Sequence, residues 1–277
     1  MDDRPIGFFD SGLGGLTCIP YLLKALPQER IVYFGDTART PYGSKAPSTI
    51  RAFAAEVAGF LAGTQGVKMI AIACNTVSAI ALEELRLLHP GIPVLGIISP
   101  ASRTVAGTCG EGSRIGVIGT KATIASGAYP KKILGCHPGL NVSQQACPAF
   151  VPLIEEGIIQ NHIMDLTIKY YLDGFLEQNS IDTLVLGCTH YPLIRRNIEK
   201  LYPGLRIIDP SEEMLCSIAD ALDRYGLHAE GRASEHVFYA SDLSENFVGM
   251  IDLIFSGTGY PVTFRTLNLE HCQERKG

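Results

Sequence analysis

The chain has no tryptophan, no CxxC pair, no block of like charge, no low-complexity run and no apolar stretch long enough to span a membrane. Each absence removes a class of protein. Without a CxxC pair, a zinc site or a thioredoxin-type redox motif has no support. The eight cysteines (18, 74, 109, 136, 147, 188, 216 and 272) are spread along the chain, which fits reduced thiols in a cytoplasmic protein. A net charge of −5 and a pI near 5.8 leave no basic footprint for nucleic acid. The N-terminal MDDRPIGFFD has no signal-peptide pattern and runs straight into an apolar stretch. What remains is 277 residues, 46% of them hydrophobic, enough for two ordinary domains or one large one with a real core.

Two stretches organise the rest. In residues 69–79, MIAIACNTVSA, an apolar strand-like run ends in Ala73-Cys74-Asn75-Thr76 and a helical pattern comes next. A second copy lies further on, where Thr183–Gly187 runs into Cys188-Thr189-His190-Tyr191-Pro192 and another helix. In a parallel α/β sheet, ligands sit beyond the carboxyl ends of the strands. Unpaired N–H groups and the helix dipole favour anions there, so a thiol pKa can fall toward neutrality. Asn75 and Thr76 are suited to cap the helix that begins near Val77, and Pro192 is tolerated in a first helical turn. A single cysteine after an apolar strand is usually core. The duplicated context, and His190 two residues after Cys188, argue for more.

The remaining elements fit an α/β frame. Ile6–Asp10 reads as a buried strand, and SGLGGLT at 11–17 as a turn opening a helix. Gly12, Gly14 and Gly15 would let backbone approach a ligand, a phosphate included, but the loop is neither a Walker sequence nor GxGxxG. Asp10 either caps that helix or places a carboxylate in a crevice. Strand Ile31–Gly35 precedes a polar loop at 36–45 containing Pro41, Tyr42 and Gly43, long enough to be functional. Helical spacing runs over 48–63, then the Cys74 strand, a helix to about 88, and a strand over 94–98. The pattern restarts with a strand at 115–119 and a strand-to-helix turn at 120–129. Next come a short strand at 142–147, a segment at 148–157 with Glu155 and Glu156, a helix at 161–178 and the Cys188 strand. A strand at 206–209, a helix at 212–225, Val237–Ala240, Glu245–Phe255 and a strand at 262–267 complete the chain.

The strands starting at Ile6, Met69 and Val94 match in order those starting at Ile115, Thr183 and Arg206. The expected fold is therefore α/β, with two similar open parallel-sheet domains related by pseudo-symmetry. Residues 1–98 plus 210–277 would carry Cys74, and 99–209 would carry Cys188, with 99–114 as the crossing. The site is expected in the crevice between them. A cysteine paired with a histidine suggests acyl transfer through a thioester. Two cysteines on opposite walls suggest proton removal on one face of a carbon and proton return on the other, which inverts a stereocentre.

On these residues the chain resembles the glutamate racemases of the cofactor-independent aspartate/glutamate racemase superfamily, essentially end to end. The resemblance is carried by DSGLGGLT at 10–17, by Gly35-Asp36 with Pro41-Tyr42-Gly43, by Ala73-Cys74-Asn75-Thr76, and by GCTHYP at 187–192. It implies that Cys74 is the base acting on D-glutamate and Cys188 the base acting on L-glutamate. Asp10 and His190, with Glu155 as a further candidate, would assist the thiols. Asp10, Ser11, Pro41, Tyr42, Gly43, Asn75, Thr76, Thr123, Thr189 and His190 would surround the substrate. It also implies a cytoplasmic enzyme supplying D-glutamate for peptidoglycan, with neither pyridoxal phosphate nor metal. Its partner is the small-molecule substrate, with no nucleic acid and no membrane; a homodimer stays open.

Two features depart from relatives. Ile98-Ser99-Pro100 stands where many carry a charged residue before the proline. The chain also lacks the N-terminal extension of relatives regulated by a cell-wall precursor, so that regulation is not expected. Three alternatives remain: an aspartate or other amino-acid racemase of the superfamily, a cysteine hydrolase using Cys188 and His190, and a non-catalytic amino-acid-binding protein. A pyridoxal-phosphate racemase is disfavoured because no lysine stands beside a phosphate loop.

Overall fold

The computed structural model describes residues 1–231, 233, 235–255, 264–267 and 269. Among them, β1 (Ile6–Asp10), β2 (Ile31–Gly35), β3 (Met69–Ile72) and β4 (Val94–Gly96) join β9 (Val237–Ala240) and β10 (Phe264–Thr266) in one sheet. A second sheet holds β5 (Arg114–Gly119), β6 (Asn141–Ala146), β7 (Thr183–Gly187) and β8 (Arg206–Ile208). The orders are β10-β9-β2-β1-β3-β4 and β6-β5-β7-β8, and every pairing is parallel. The duplication read from the sequence is therefore topological: β2-β1-β3-β4 and β6-β5-β7-β8 repeat the same order. It also pairs β2 with β6, which have no match in the sequence pattern.

The inner strands β1, β2, β3 and β7 are buried throughout because both faces of their sheets are covered, whereas the edge strands β6 and β10 are polar and partly exposed. Successive side chains enter different cores, as pleating requires. Phe8, Met69, Ala71, Ile115, Val117 and Val185 share one core between the two sheets. Phe9, Ile70 and Ile72 face the helix Pro47–Gly59 on the outer side of the first sheet. Ile118, Leu184 and Leu186 face the helix His162–Asn179 on the outer side of the second. The helices Ile98–Thr108 and Pro210–Tyr225 contribute Ile98, Ala101, Val105, Met214 and Ile218 to this central core, and residues at the strand ends of both sheets line one crevice.

Several boundaries differ from expectation. The strand expected over 94–98 ends at Gly96, and the helix Ile98–Thr108 begins almost at once, so most of the crossing segment is helical. Pro100 falls in the first turn of that helix, where no N–H partner is lost. The helix expected over 48–63 begins at Pro47 and stays regular to Gly59, before a wider turn at Phe60–Thr64. The helix expected from Glu212 begins at Pro210, because the Asp209 carboxylate accepts from the Ser211 N–H at 2.8 Å. It ends at Gly226 with φ of 64°, a left-handed stop that glycine adopts freely. Of the strand expected over 262–267, Phe264–Thr266 is present, while 262 and 263, like Cys272, lie outside the described residues.

Candidate active site

Four of the five catalytic candidates, Asp10, Cys74, Cys188 and His190, lie at or just past a strand end, while Glu155 ends the helix Phe150–Glu155. Ala73 comes directly after β3 and pairs through its N–H to the Phe9 carbonyl, which places Cys74 beside Ser11, one step past the end of β1. The Ser11 hydroxyl and Cys74 Sγ lie 3.2 Å apart. Cys188 is the first residue after β7. Both thiols are almost fully buried, and both line a cavity of ≈ 20 Å³ in the crevice. The same cavity is lined by Ser11, Pro41, Tyr42, Gly43, Asn75, Thr76, Thr189 and His190. A space of that size holds about one water molecule. The crevice is closed.

The expected capping roles do not occur. The helix after Cys74 starts at Asn75, two residues early, and neither Asn75 nor Thr76 caps it. Both side chains turn toward the second sheet instead. Asn75 Oδ1 accepts from the Tyr129 hydroxyl at 2.6 Å, while its Nδ2 is buried without a hydrogen-bond partner among the described residues. The Thr76 hydroxyl bonds those of Thr120 at 3.0 Å and Thr123 at 3.2 Å, across the crevice. After Cys188 the chain makes a 3-10 turn, Tyr191–Ile194, before the helix Arg195–Leu201. Pro192 sits in that turn as expected.

Electrostatics also depart from the expected fall in thiol pKa. Burial pushes the Cys74 thiol up to about 12, helped by the nearby Asp10 carboxylate and opposed by the Ser11 hydroxyl and the Val77 N–H. Desolvation of a thiolate outweighs the few dipoles offered by a helix of six residues. Cys74 is therefore a proton donor at rest. Asp10 is fully buried behind the cavity, where it accepts from the Gly12 N–H at 2.9 Å and the Thr189 hydroxyl at 3.3 Å. Burial raises its pKa against the pull of His190 and these donors.

His190 links two other predicted residues, Cys188 and Glu155. Its Nδ1 is 3.9 Å from Cys188 Sγ, and its Nε2 is 3.2 Å from Glu155 Oε1, an ion-pair distance without a formed hydrogen bond. Burial works against a charged ring, yet the contacts with Cys188 and Glu155 outweigh it and raise His190 to about 10. An imidazolium beside Cys188 is positioned to favour thiolate when that sulfur gives up its proton. The contacts that raise its pKa stabilise the fold fully below about pH 6.5, and that contribution is lost as pH rises through about 10. Removing the Glu155 charge must lower that upper edge. In Glu155→Gln, the His190 ring protons followed by NMR should titrate about one unit or more lower; an unmoved midpoint would show that Glu155 does not hold the charge.

The glycine loop does something other than cradle a phosphate. A Cβ on Gly14 would meet Thr189 Oγ1 at 2.5 Å and His190 Nδ1 at 2.6 Å. Gly43 is equally tight, since a methyl group there would overlap the side chain of Thr120. Both glycines let one wall close on the other. Thr123 stands behind the wall, and the Tyr42 hydroxyl donates to Asp36, leaving the rest of Tyr42 to line the cavity. Thr40, Thr120 and Val151 also line it and were not anticipated. Thr120 had a signal: it stands just after β5 as Ser11 stands just after β1, one step past the paired Gly119 and Gly187, and so lies level with Cys188. Among the described residues, no cluster of three or more His, Cys, Asp or Glu is arranged to hold a metal ion, and no helix is long and apolar enough to cross a membrane.

A two-sheet α/β protein with thiols facing each other across a closed crevice has the layout of an enzyme that moves protons at a substrate carbon. Comparison with known proteins gives the family. The sequence profile described as Asp/Glu/Hydantoin racemase matches residues 17–215. The chain is 45% identical to the glutamate racemase of Geobacter metallireducens over 251 residues, covering 90% of this chain and 91% of that one. It is also 45% identical to that of Chlorobaculum tepidum over 262 residues, 94% of each. The crystal structure of glutamate racemase from Francisella tularensis in complex with D-glutamate superposes with a TM-score of 0.90 at 38% identity, covering 98% of this chain and all of that one. The chain belongs to the Asp/Glu/Hydantoin racemase family, and it is an isomerase.

Proposed function

We propose that the chain interconverts L- and D-glutamate by a two-thiol proton transfer at the α-carbon, supplying D-glutamate for peptidoglycan. The observation that carries this reading is that Cys74 and Cys188, delivered by different sheets, face one small cavity. The names of the relatives and the D-glutamate complex of the Francisella tularensis enzyme support glutamate as substrate.

Starting from L-glutamate, the Cys188 thiolate takes the α-proton, and the electron pair left on carbon delocalises into the adjacent carboxylate. The Cys74 thiol then gives its proton to the opposite face of that carbon, yielding D-glutamate. Cys188 ends as thiol and Cys74 as thiolate, so the reverse reaction uses the same groups with roles exchanged. The resting protonation of Cys74 suits the L-to-D direction. His190, backed by Glu155, faces the charge on Cys188, and Asp10 lies near Cys74. The unpaired Asn75 Nδ2 and the hydroxyls of Ser11, Thr76 and Thr189 are the donors offered to the substrate carboxylates.

Because the cavity holds no more than a water, substrate entry requires the walls to part. The moving bodies are residues 1–98 with 210–277, and 99–209. The seven described cysteines are all unpaired, which supports a reducing, cytoplasmic setting. A homodimer belongs to the same proposal and is tested by sedimentation.

The decisive experiment incubates the purified protein with L-glutamate in D2O while following optical rotation and the α-proton signal. Rotation should decay to zero as deuterium enters the α-carbon. Inert L-glutamate beside an active L-aspartate would move the reading to another racemase of the family.

A further inference from the structure

The loop carrying Pro41, Tyr42 and Gly43 into the crevice is fixed from below by a buried carboxylate, Asp36. Three donors converge on it. Arg39 Nε reaches Oδ2 at 2.7 Å, the Tyr42 hydroxyl donates to the same oxygen, and Ser241 Oγ donates to Oδ1 at 2.9 Å. Arg39 is held in turn by Glu56 at 2.5 Å and lies 4.1 Å over the Phe53 ring, which packs against Tyr42.

Ser241 differs from the other two donors in origin. It stands just after β9, an element beyond the segment shared with the family profile. Its own N–H bonds the Gly35 carbonyl at 3.0 Å, continuing the β2–β9 pairing, and its Oγ accepts from the Ala38 N–H at 2.9 Å. One hydroxyl thereby satisfies a buried carboxylate and a loop N–H together. The neighbouring Asp242 exchanges bonds with the Thr37 hydroxyl through its N–H, at 2.8 Å, and its carbonyl. The rim loop is clamped at its root by the C-terminal part of the chain, while its tip, Gly43, meets Thr120 on the opposite wall.

We propose that Ser241 is a positioning residue for substrate binding, acting through Asp36 and the Ala38 N–H to set the height at which Tyr42 and Gly43 enter the crevice. The proposal rests on the racemase reading. The thiols are placed by β3 and β7, which Ser241 does not touch, so the loss on its removal falls on binding and leaves the proton-transfer step intact. A change in uniform binding raises KM without lowering kcat. The two enantiomers have equal energy, so kcat/KM must change by one factor in both directions.

The test compares wild-type protein, Ser241→Ala and Ser241→Thr by initial rates from L- and D-glutamate and by the thermal shift that glutamate produces. Ser241→Ala removes both hydrogen bonds of the hydroxyl and should raise KM about three- to tenfold. Its kcat should stay within about twofold, with a smaller glutamate-induced shift at fixed concentration. Ser241→Thr, which keeps the hydroxyl, should restore wild-type KM. An Ala variant with wild-type KM would overturn the proposal, as would a fall in kcat at constant KM, the mark of a merely depleted active fraction. Wild-type protein that neither turns over nor binds glutamate would overturn the racemase reading and this proposal together, a pattern distinct from either of those.

Discussion

Cys74→Ser and Cys188→Ser should each lose racemisation by about a thousandfold or more, while melting within a few degrees of the wild-type protein. The change swaps one buried atom in each thiol. Volume falls slightly and the backbone geometry at both strand ends is kept, so folding has no reason to fail. Chemistry has every reason. A serine hydroxyl ionises far above the range of a thiol, and an alkoxide in a desolvated crevice is costlier still. The partner left behind cannot complete the inversion, because removal and delivery occur on opposite faces.

The two variants should also differ from each other. Cys74→Ser retains Cys188 with His190 at 3.9 Å, so α-proton exchange from L-glutamate in D2O can persist without loss of optical rotation. Cys188→Ser retains only the thiol that burial holds protonated, so its residual exchange, confined to D-glutamate, should be slower. Both variants should still gain stability from glutamate, since the donors of Asn75, Thr76 and Thr189 remain. Wild-type turnover in either variant would end the two-thiol scheme.

The parts of this site legible in the sequence are those set by strand ends. A parallel strand buried on both faces is a short, continuous apolar run, and the residues just past its end are fixed in space to within a position or two. That is why Cys74, Cys188, Ser11 and Thr189 meet where expected. The same logic reaches Thr120 as the counterpart of Ser11, but only once the repeat is carried through strand by strand. Asn75 and Thr76 escape the capping rule because capping preference is local, and here the second wall offers Tyr129, Thr120 and Thr123 as better partners. The helix Ile98–Thr108 is hidden by its proline, which marks a first turn as readily as a break. Thiol ionisation is illegible because sequence shows the turn and not the depth of burial. Ser241 is out of reach: its contact with Asp36 spans 205 positions, and no local pattern announces it.

Lys68→Met should be strongly destabilising although it lies outside the crevice. Lys68 and Glu29 are both wholly buried, with Nζ 2.6 Å from Glu29 Oε2. The ammonium also donates to the carbonyls of Asp2 at 2.7 Å and Leu227 at 2.6 Å, while Glu29 Oε1 accepts from the Ala229 N–H at 3.0 Å. One charge pair thus ties the N-terminus and the segment after the helix Pro210–Tyr225 to the root of β3. A methionine fills the stem but leaves a buried carboxylate uncompensated, together with two carbonyls that lose their donor. Breaking such a pair from one side costs about 3–5 kcal/mol, equivalent to a fall of roughly 5–9 °C in Tm for a chain of this size. The strain lies in the orphaned charge, so Lys68→Met combined with Glu29→Gln should recover more than half of the loss, a coupling read directly from a double-mutant cycle. Denaturant unfolding of the four proteins measures it. A single variant within about 1 kcal/mol of wild type, or a double variant as unstable as the sum of its parts, would mean that the pair is solvated in the folded state and that the tie is made by packing alone.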